Sequence, residues 1–597
     1  MTLAVQSKID RTHCIGASSR VSPPPRLQRE PELPSALTIN VPETLALLDG
    51  DYAEVARGVA RQDYALWLGS GISLDRIVGV KGVIERVLEY LRMKAVIGDS
   101  TCQFNLALDE ALITLTTTEK AGVNLAKPVH DWVTRDDVLN KLASLYSHVL
   151  DIRLPGEVED FLLWVGVDVP STFTVEDPDV EHVCVALLAL ESAVSDVASA
   201  NWDYLIERAE ARLTDGAGGV FDICILGQDF KASSKQARLM KFHGCAALAV
   251  QNPEIYRQLL IARESQIAQW RTNKNYAAMK QNLLQLALDR RTLMIGFSAL
   301  DRNIQDLFVD AEVAAPWGWP NPPTPHVFAE ETLSTGQKLI LKCVYKDQYQ
   351  DHQADIDKTA RLPAYGKSLL LALFLHVLES KLAELAILAK PAVWPEGDLL
   401  SIRAGLRHLR NRLASVTDPD RLQFLATFVA AFSRAQRLYH EGRSEIAPTR
   451  YHALTTGPLQ QVASIPISTG LREAALALSV LGLGEKTGEW TLFAGGSSDH
   501  KHAPIIVAAG GRQTRFFFAA NDDASMKLFL NGVVDESDHD AVIALSSSPG
   551  LRRRRSPVDA PGRDGHAELR EISISALLHE TSNATDFSIR FKQEASL

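Results

Sequence analysis

The sequence predicts an α/β protein: a Rossmann-like, mainly parallel sheet with a helical insertion, followed by a helical region and a β-rich C-terminal domain. Three observations predict it. Short apolar runs alternate with helix-period segments through the first half of the chain, as in parallel sheets covered on both faces. Several of these runs end in a short glycine or polar motif, which puts the motifs at carboxyl strand ends, where open α/β sheets bind ligands. Near residue 488 the texture changes to short β-rich runs, including Trp490–Gly495 and Thr514–Ala520.

Composition narrows the class. A chain of 597 residues exceeds one ordinary core, so several structural units are expected. Lys and Arg number 62 against 73 Asp and Glu, a net charge of −11. That balance argues against direct nucleic-acid binding by the main body. The longest apolar run, Leu369–Leu375, meets His376, Glu379 and Lys381 at once, too soon to cross a bilayer, so no membrane partner is expected. The opening MTLAVQSKID lacks an apolar signal region. The six cysteines, Cys14, Cys102, Cys184, Cys224, Cys245 and Cys343, never form a CxxC pair. This argues against a zinc ribbon and a disulfide framework, and for a reduced, cytoplasmic protein.

The elements follow in order. Residues 1–41 read as a flexible tail, because the Pro-rich Ser22–Pro34 cannot build a core. Order is expected from Pro42, opening a first domain over residues 42–325. Its first strand, Tyr64–Leu68, runs straight into Gly69–Ser73, and residues 83–175 read as a helical insertion. Ser195–Ser199 leads into Asn201–Asp203, and Phe221–Leu226 is a further strand. Ala237–Phe242 runs into His243 and Gly244, and Thr292–Ile295 into Gly296–Ser298. The Pro- and Trp-rich linker Ala314–Pro325 closes this domain. Residues 326–485 read as helical and 486–597 as β-rich, interrupted by the Pro/Arg/Gly loop Ser548–Gly565.

The motifs carry chemistry and each has a bland alternative. Glycines at 69 and 71 let backbone approach phosphate oxygens ahead of a helix end, although such triplets also serve as plain strand-to-helix turns. Asn201 and Asp203 offer an amide and a carboxylate at a strand mouth, while Asp203 equally suits a helix cap. His243 stands at a strand end and offers an imidazole, whose near-neutral titration suits a general base, although a lone histidine is more often structural. Gly296 and Ser298 offer close approach and a hydroxyl, or the first turn of a helix. Arg552–Arg555 sit in Pro/Gly surroundings and read as a solvated loop, and His500 and His502 read as surface residues with no matching metal ligands nearby.

Taken together, Gly69-Ser-Gly-Ile-Ser73, Ala200-Asn-Trp-Asp203, His243-Gly244 and Gly296-Phe-Ser298 resemble the sirtuin family in identity and order, over about residues 55–310. The wording around them is similar to the sirtuin-like NAD hydrolases of bacterial anti-phage defence. The resemblance implies NAD as substrate, with 42–325 as the catalytic domain. Asn201 would order the ribose and attacking water, and His243 would act as base. Asp203 would bind the nicotinamide carboxamide, Gly69, Ser70, Gly71 and Ser73 the pyrophosphate, and Gly296 and Ser298 the adenosine ribose.

Departures from the family refine this. Deacetylating sirtuins carry two CxxC pairs that hold zinc, and a Pro-Asp-Phe-Arg stretch where this chain has Val78-Gly-Val-Lys-Gly82. No zinc is therefore expected, and NAD hydrolysis to nicotinamide and ADP-ribose is favoured. The alternatives are protein deacylation or ADP-ribosyl transfer on the same core, and a non-catalytic nucleotide-sensing scaffold. The resemblance also implies an effector of abortive infection, held off until triggered. A homo-oligomer and a partner such as a HerA-like ATPase or an argonaute-like protein are the expected controls.

Overall fold

A computed structural model describes residues 35–597 except 97, 176, 232–234, 321, 445–449, 496–502, 536–537 and 548–569. The segment 1–34, His500, His502 and Arg552–Arg555 lie outside the described residues. Order begins before Pro42: Ala36 and Ile39 are already buried. Asn40 caps the first helix, Val41–Asp49, in a reciprocal box with Glu43.

Seven strands form the first sheet: β1 Tyr64–Leu68, β2 Asp196–Ser199, β3 Phe221–Cys224, β4 Ala237–Lys241, β5 Arg291–Ile295, β6 His326–Ala329 and β7 Arg361–Leu362. Their order is β3-β4-β2-β1-β5-β6-β7, and every pairing is parallel. Side-chain alternation explains why β1 is apolar throughout. Tyr64, Leu66 and Leu68 of β1 enter one core with Leu293 and Ile295 of β5 and Val327 of β6. Ala65 and Trp67 point the other way, into a second core with Met240, Met294 and Phe328. A strand buried on both faces must be apolar at every position. The first core is covered by helices that include Val180–Leu190 and Gly366–Ala389. The second is covered by Ala277–Asp289, Arg302–Ala314 and Thr335–Tyr345.

Two of the seven strands lie past Pro325, in the stretch read from sequence as helical. The rest of that stretch is helical, around the long helix Gly366–Ala389. No described helix is long and apolar enough to cross a membrane. The charges of Gly366–Ala389 are held inside the fold. Lys381, fully buried, pairs with Glu191 at 2.9 Å, whose other oxygen accepts from the Tyr451 hydroxyl at 2.6 Å and the Leu454 N–H at 2.7 Å. This network ties the central helix to the turn before β2 and to residues 451–455.

Helices between β1 and β2, from Val80–Lys94 to Val169–Thr172, form the insertion. Its own core borrows Leu205, Ala246, Leu260 and Ala262 from segments that follow β2 and β4.

A second, mixed sheet lies near the C-terminus: β8 Thr491–Ala494, β9 Ile505–Ala509, β10 Arg512–Ala519, β11 Ala541–Leu545 and β12 Arg570–Ser573, in the order β12-β11-β10-β9-β8. β8, β9 and β10 pair antiparallel, and β10, β11 and β12 parallel. Three stretches inside the region read as β-rich are helical instead. Lys527–Leu530 belongs to the helix Asp522–Leu530 and Phe587–Lys592 to Ala584–Ala595, while Ile574–Leu578 begins the helix Ile574–Glu580.

The Lys381–Glu191 pair yields a stability prediction. Replacing one partner of a buried pair leaves the other charge uncompensated, at a cost of about 3–5 kcal/mol. Lys381→Met should therefore lower the urea unfolding midpoint by that equivalent, and an unchanged midpoint would contradict the role assigned to the pair.

Candidate functional site

The turn after β1 and the turn after β5 meet backbone to backbone. The Gly69 N–H donates to the Ile295 carbonyl at 3.1 Å, and the Gly71 N–H to the Gly296 carbonyl at 3.0 Å. A Cβ on Gly69 would lie 2.3 Å from the Gly296 oxygen, and one on Gly296 would lie 2.7 Å from the Gly71 Cα. Gly296 also has φ +60°, a region that side chains disfavour. These glycines serve the close approach of two loops. The Gly69 and Gly71 N–H groups are both committed to this contact. Ser70 and Ser298 are exposed at the same rim, and the Ser298 carbonyl accepts from the Ser334 hydroxyl at 2.6 Å.

On the other side of β1, the ends of β2 and β4 lie together, since the Phe242 N–H donates to the Ser199 carbonyl at 3.1 Å. This brings the Asn201–Asp203 loop beside His243. The Ala246 N–H donates to the Trp202 carbonyl at 2.8 Å, and the Trp202 ring packs edge-on against Phe173 of the insertion. Lys241, the last residue of β4, is buried and reaches both the Asp203 carbonyl and Glu207, the latter at 3.0 Å. A charged residue closing an apolar strand was the available signal for this anchor, and the sequence reading passed over it.

Ser73 is the hub of the site. Its hydroxyl lies 3.0 Å from Nε2 of His182, 2.9 Å from Asp203 Oδ2 and 3.2 Å from Asn201 Nδ2. All four side chains are buried. Ser73 therefore joins the amide and carboxylate of the β2 loop instead of facing phosphate. Asp203 Oδ1 accepts from the Leu205 N–H at 3.2 Å, so the helix-start role weighed for it is present too. His182 stands in the helix Val180–Leu190, and its Nδ1 accepts from the Asp179 N–H at 3.1 Å. A lone histidine in an otherwise apolar helix carries little weight in sequence, and it was missed.

Buried polar atoms without a protein partner gather here: Asn201 Oδ1, Trp202 Nε1 and His243 Nε2. Leaving such an atom unpaired costs about 1–3 kcal/mol, so their occurrence at adjacent strand ends points to a ligand that pairs them. Burial pulls the His243 imidazole below its ordinary value, partly opposed by the nearby Asp301 carboxylate. Asp301 stands at the N-cap position of Arg302–Ala314, and its side chain accepts from the Tyr146 hydroxyl of the insertion at 2.8 Å. The site is closed, with Asn201, Asp203 and His243 only 7%, 5% and 4% exposed. Bonds from the insertion hold the cover. They include Asp160 with Arg257 at 2.7 Å and Asp151 with Ser265 at 2.8 Å. A 380 Å³ cleft lined by Arg86, Glu89 and His130 lies within the insertion, apart from these residues.

On the β6–β7 side, Glu330 follows β6, and burial lifts its carboxyl to about 7 against the Gln337 hydrogen bond. The Tyr365 hydroxyl would sit 2.9 Å from a Cβ on Gly71. Sequence reading assigned neither residue to the site. Among the described residues no group of three His, Cys, Asp or Glu is placed to hold a metal.

A family model for the SIR2-like domain matches residues 195–330. The matched segment spans β2 through β6 and contains Asn201, Asp203, His243, Gly296 and Ser298; the Gly69–Ser73 turn lies outside it. The match supports NAD binding and NAD-related chemistry. No curated protein matches the chain.

The loop contact can be tested by adding one methyl group. At Gly296 it meets both a left-handed φ and opposing backbone, for about 2–5 kcal/mol in total. At Gly318 a Cβ meets nothing within 4 Å. Gly296→Ala should lower the thermal midpoint sharply while Gly318→Ala leaves it unchanged; equal behaviour of the two would contradict the contact.

Proposed function

We propose that the chain is an NAD hydrolase that cleaves the nicotinamide–ribose bond to give nicotinamide and ADP-ribose. The observation that carries the reading is the pair of unpartnered buried atoms, Asn201 Oδ1 and His243 Nε2, at neighbouring strand ends in a segment similar to SIR2-like domains. As nicotinamide leaves, positive charge builds on the anomeric carbon, and a water-poor pocket with fixed dipoles stabilises it. The Asn201 carbonyl oxygen accepts from the ribose or from the attacking water. His243, held neutral by burial, takes the proton that water loses. Asp203 keeps lone pairs for the carboxamide N–H while Ser73 and Leu205 orient it. Gly296 and Ser298 lie at the rim on the adenosine side.

The closed cover sets the biological part of the proposal. Dinucleotide entry requires the insertion to part from Arg257, Ser265 and Asp301, so turnover is low until a trigger arrives. That behaviour suits an effector of anti-phage abortive infection. The helical region and the mixed sheet would then provide contacts for a homo-oligomer or for a HerA-like ATPase or argonaute-like partner.

Purified protein should release nicotinamide and ADP-ribose in equal amounts, read by chromatography. Asn201→Ala and His243→Ala should each lose about 100-fold or more. Full turnover in both variants would sink the assignment. In cells, NAD should fall after phage challenge with the wild type and stay level with Asn201→Ala.

The pH dependence has a defined sign. The active form of His243 is unprotonated, and its folded pKa lies below the ordinary 6.5. kcat/KM should therefore hold steady as pH falls to 6.5 and drop only below it. Asp301→Asn should move that acid limb lower still, because the carboxylate raises the histidine. A limb above 6.5 would contradict the assignment of the base.

A further inference from the structure

We infer that His182 is a positioning residue which fixes the direction of a hydrogen-bond relay and thereby presents the carbonyl oxygen of Asn201, not its NH2, to the reacting ribose. The inference rests on the hydrolase reading for what that oxygen does; the relay itself follows from the geometry.

The Asp179 backbone N–H can only donate, and it meets Nδ1 of His182 at 3.1 Å. Nδ1 is therefore an acceptor, and the single proton of the neutral ring sits on Nε2. Burial holds the ring neutral by pulling it below its ordinary value, against the carboxylates of Asp203 and Asp179. Nε2–H then donates to Ser73 Oγ at 3.0 Å. An ionised carboxylate only accepts, so the one Ser73 proton goes to Asp203 Oδ2 at 2.9 Å. A hydroxyl with its proton spent can offer Asn201 only a lone pair, so the amide turns Nδ2 toward it at 3.2 Å. Oδ1 is left facing away, buried and unpartnered.

Each step is forced by the one before it, starting from a backbone N–H at a helix start. Without Nε2–H, a water entering the vacated space can donate to Asp203 in place of Ser73, the Ser73 proton can then turn toward Asn201 Oδ1, and the amide can present either end. Rotating the amide would put a donor where an acceptor is needed, and misorientation of a positioned group costs about 100-fold in rate.

The test compares steady-state kinetics of the full chain with NAD for His182→Leu, His182→Gln and Ser73→Ala. His182→Leu should lower kcat about 100-fold with little change in KM. His182→Gln, whose amide N–H can take the place of Nε2–H, should recover most of the loss, which a purely structural cavity effect would not allow. Ser73→Ala leaves the Asp179 cap intact and should reproduce the fall in kcat. The double variant His182→Leu/Ser73→Ala should be no worse than either single one, because both cut the same relay. Additive losses, a defect confined to KM, or full kcat in Ser73→Ala would overturn the inference. A wild-type chain that turns over no NAD under any condition instead defeats the hydrolase reading, so the two failures are distinguishable.

Discussion

The architecture depends on one contact: the backbone of the turn after β1 against the backbone of the turn after β5. In the strand order β3-β4-β2-β1-β5-β6-β7 the chain builds to one side of β1 and then crosses to the other. Beside β1 its direction of winding reverses, and at such a point open α/β sheets form a ligand crevice at their carboxyl edge. Only residues without a Cβ let the two turns touch, so the glycines at 69, 71 and 296 fix how closely they approach there. The turn carrying Ser73 is thereby set at a height where its hydroxyl meets Asn201 and Asp203 from β2 and His182 from the covering helix.

A second constraint holds the β2 and β4 ends in register. The buried Lys241–Glu207 pair, with Lys241 also reaching the Asp203 carbonyl, costs desolvation that hydrophobic residues would avoid. What it provides is placement: the strand that ends at His243 is joined to the loop that begins at Asn201. Together with the Ser73 relay, it leaves Asn201 Oδ1 and His243 Nε2 unpaired at neighbouring strand ends. The insertion covers this arrangement through a core shared with Leu205, Ala246, Leu260 and Ala262, to which part-buried bonds such as Asp160–Arg257 and Tyr146–Asp301 are added.

Much of this was legible in the sequence, for a physical reason. β1 is apolar at every position because both faces are buried, the centres of β2, β4 and β5 are apolar too, and each ends abruptly in a motif, so Asn201, His243 and Gly296 could be placed at strand ends. β6 and β7 were not legible: four and two residues beside helix-like runs carry no usable period. Phe587–Lys592 alternates apolar and polar residues like a strand. It is a helix because Asn583 caps it and because Phe587 and Phe591, four apart, both bury toward the mixed sheet. The contact of Ser73 with His182 was not legible, since His182 stands 109 positions away in sequence. No local pattern reports a contact of that span.

The most direct measurement is a crystal structure of the chain with a non-hydrolysable NAD analogue whose glycosidic link is carbon. The account predicts that the analogue lies across the β1–β5 crevice with its nicotinamide-side sugar between Asn201 and His243, each now within hydrogen-bond distance of a sugar hydroxyl or a bound water. An analogue bound elsewhere, with Oδ1 of Asn201 and Nε2 of His243 still unpaired, would contradict it.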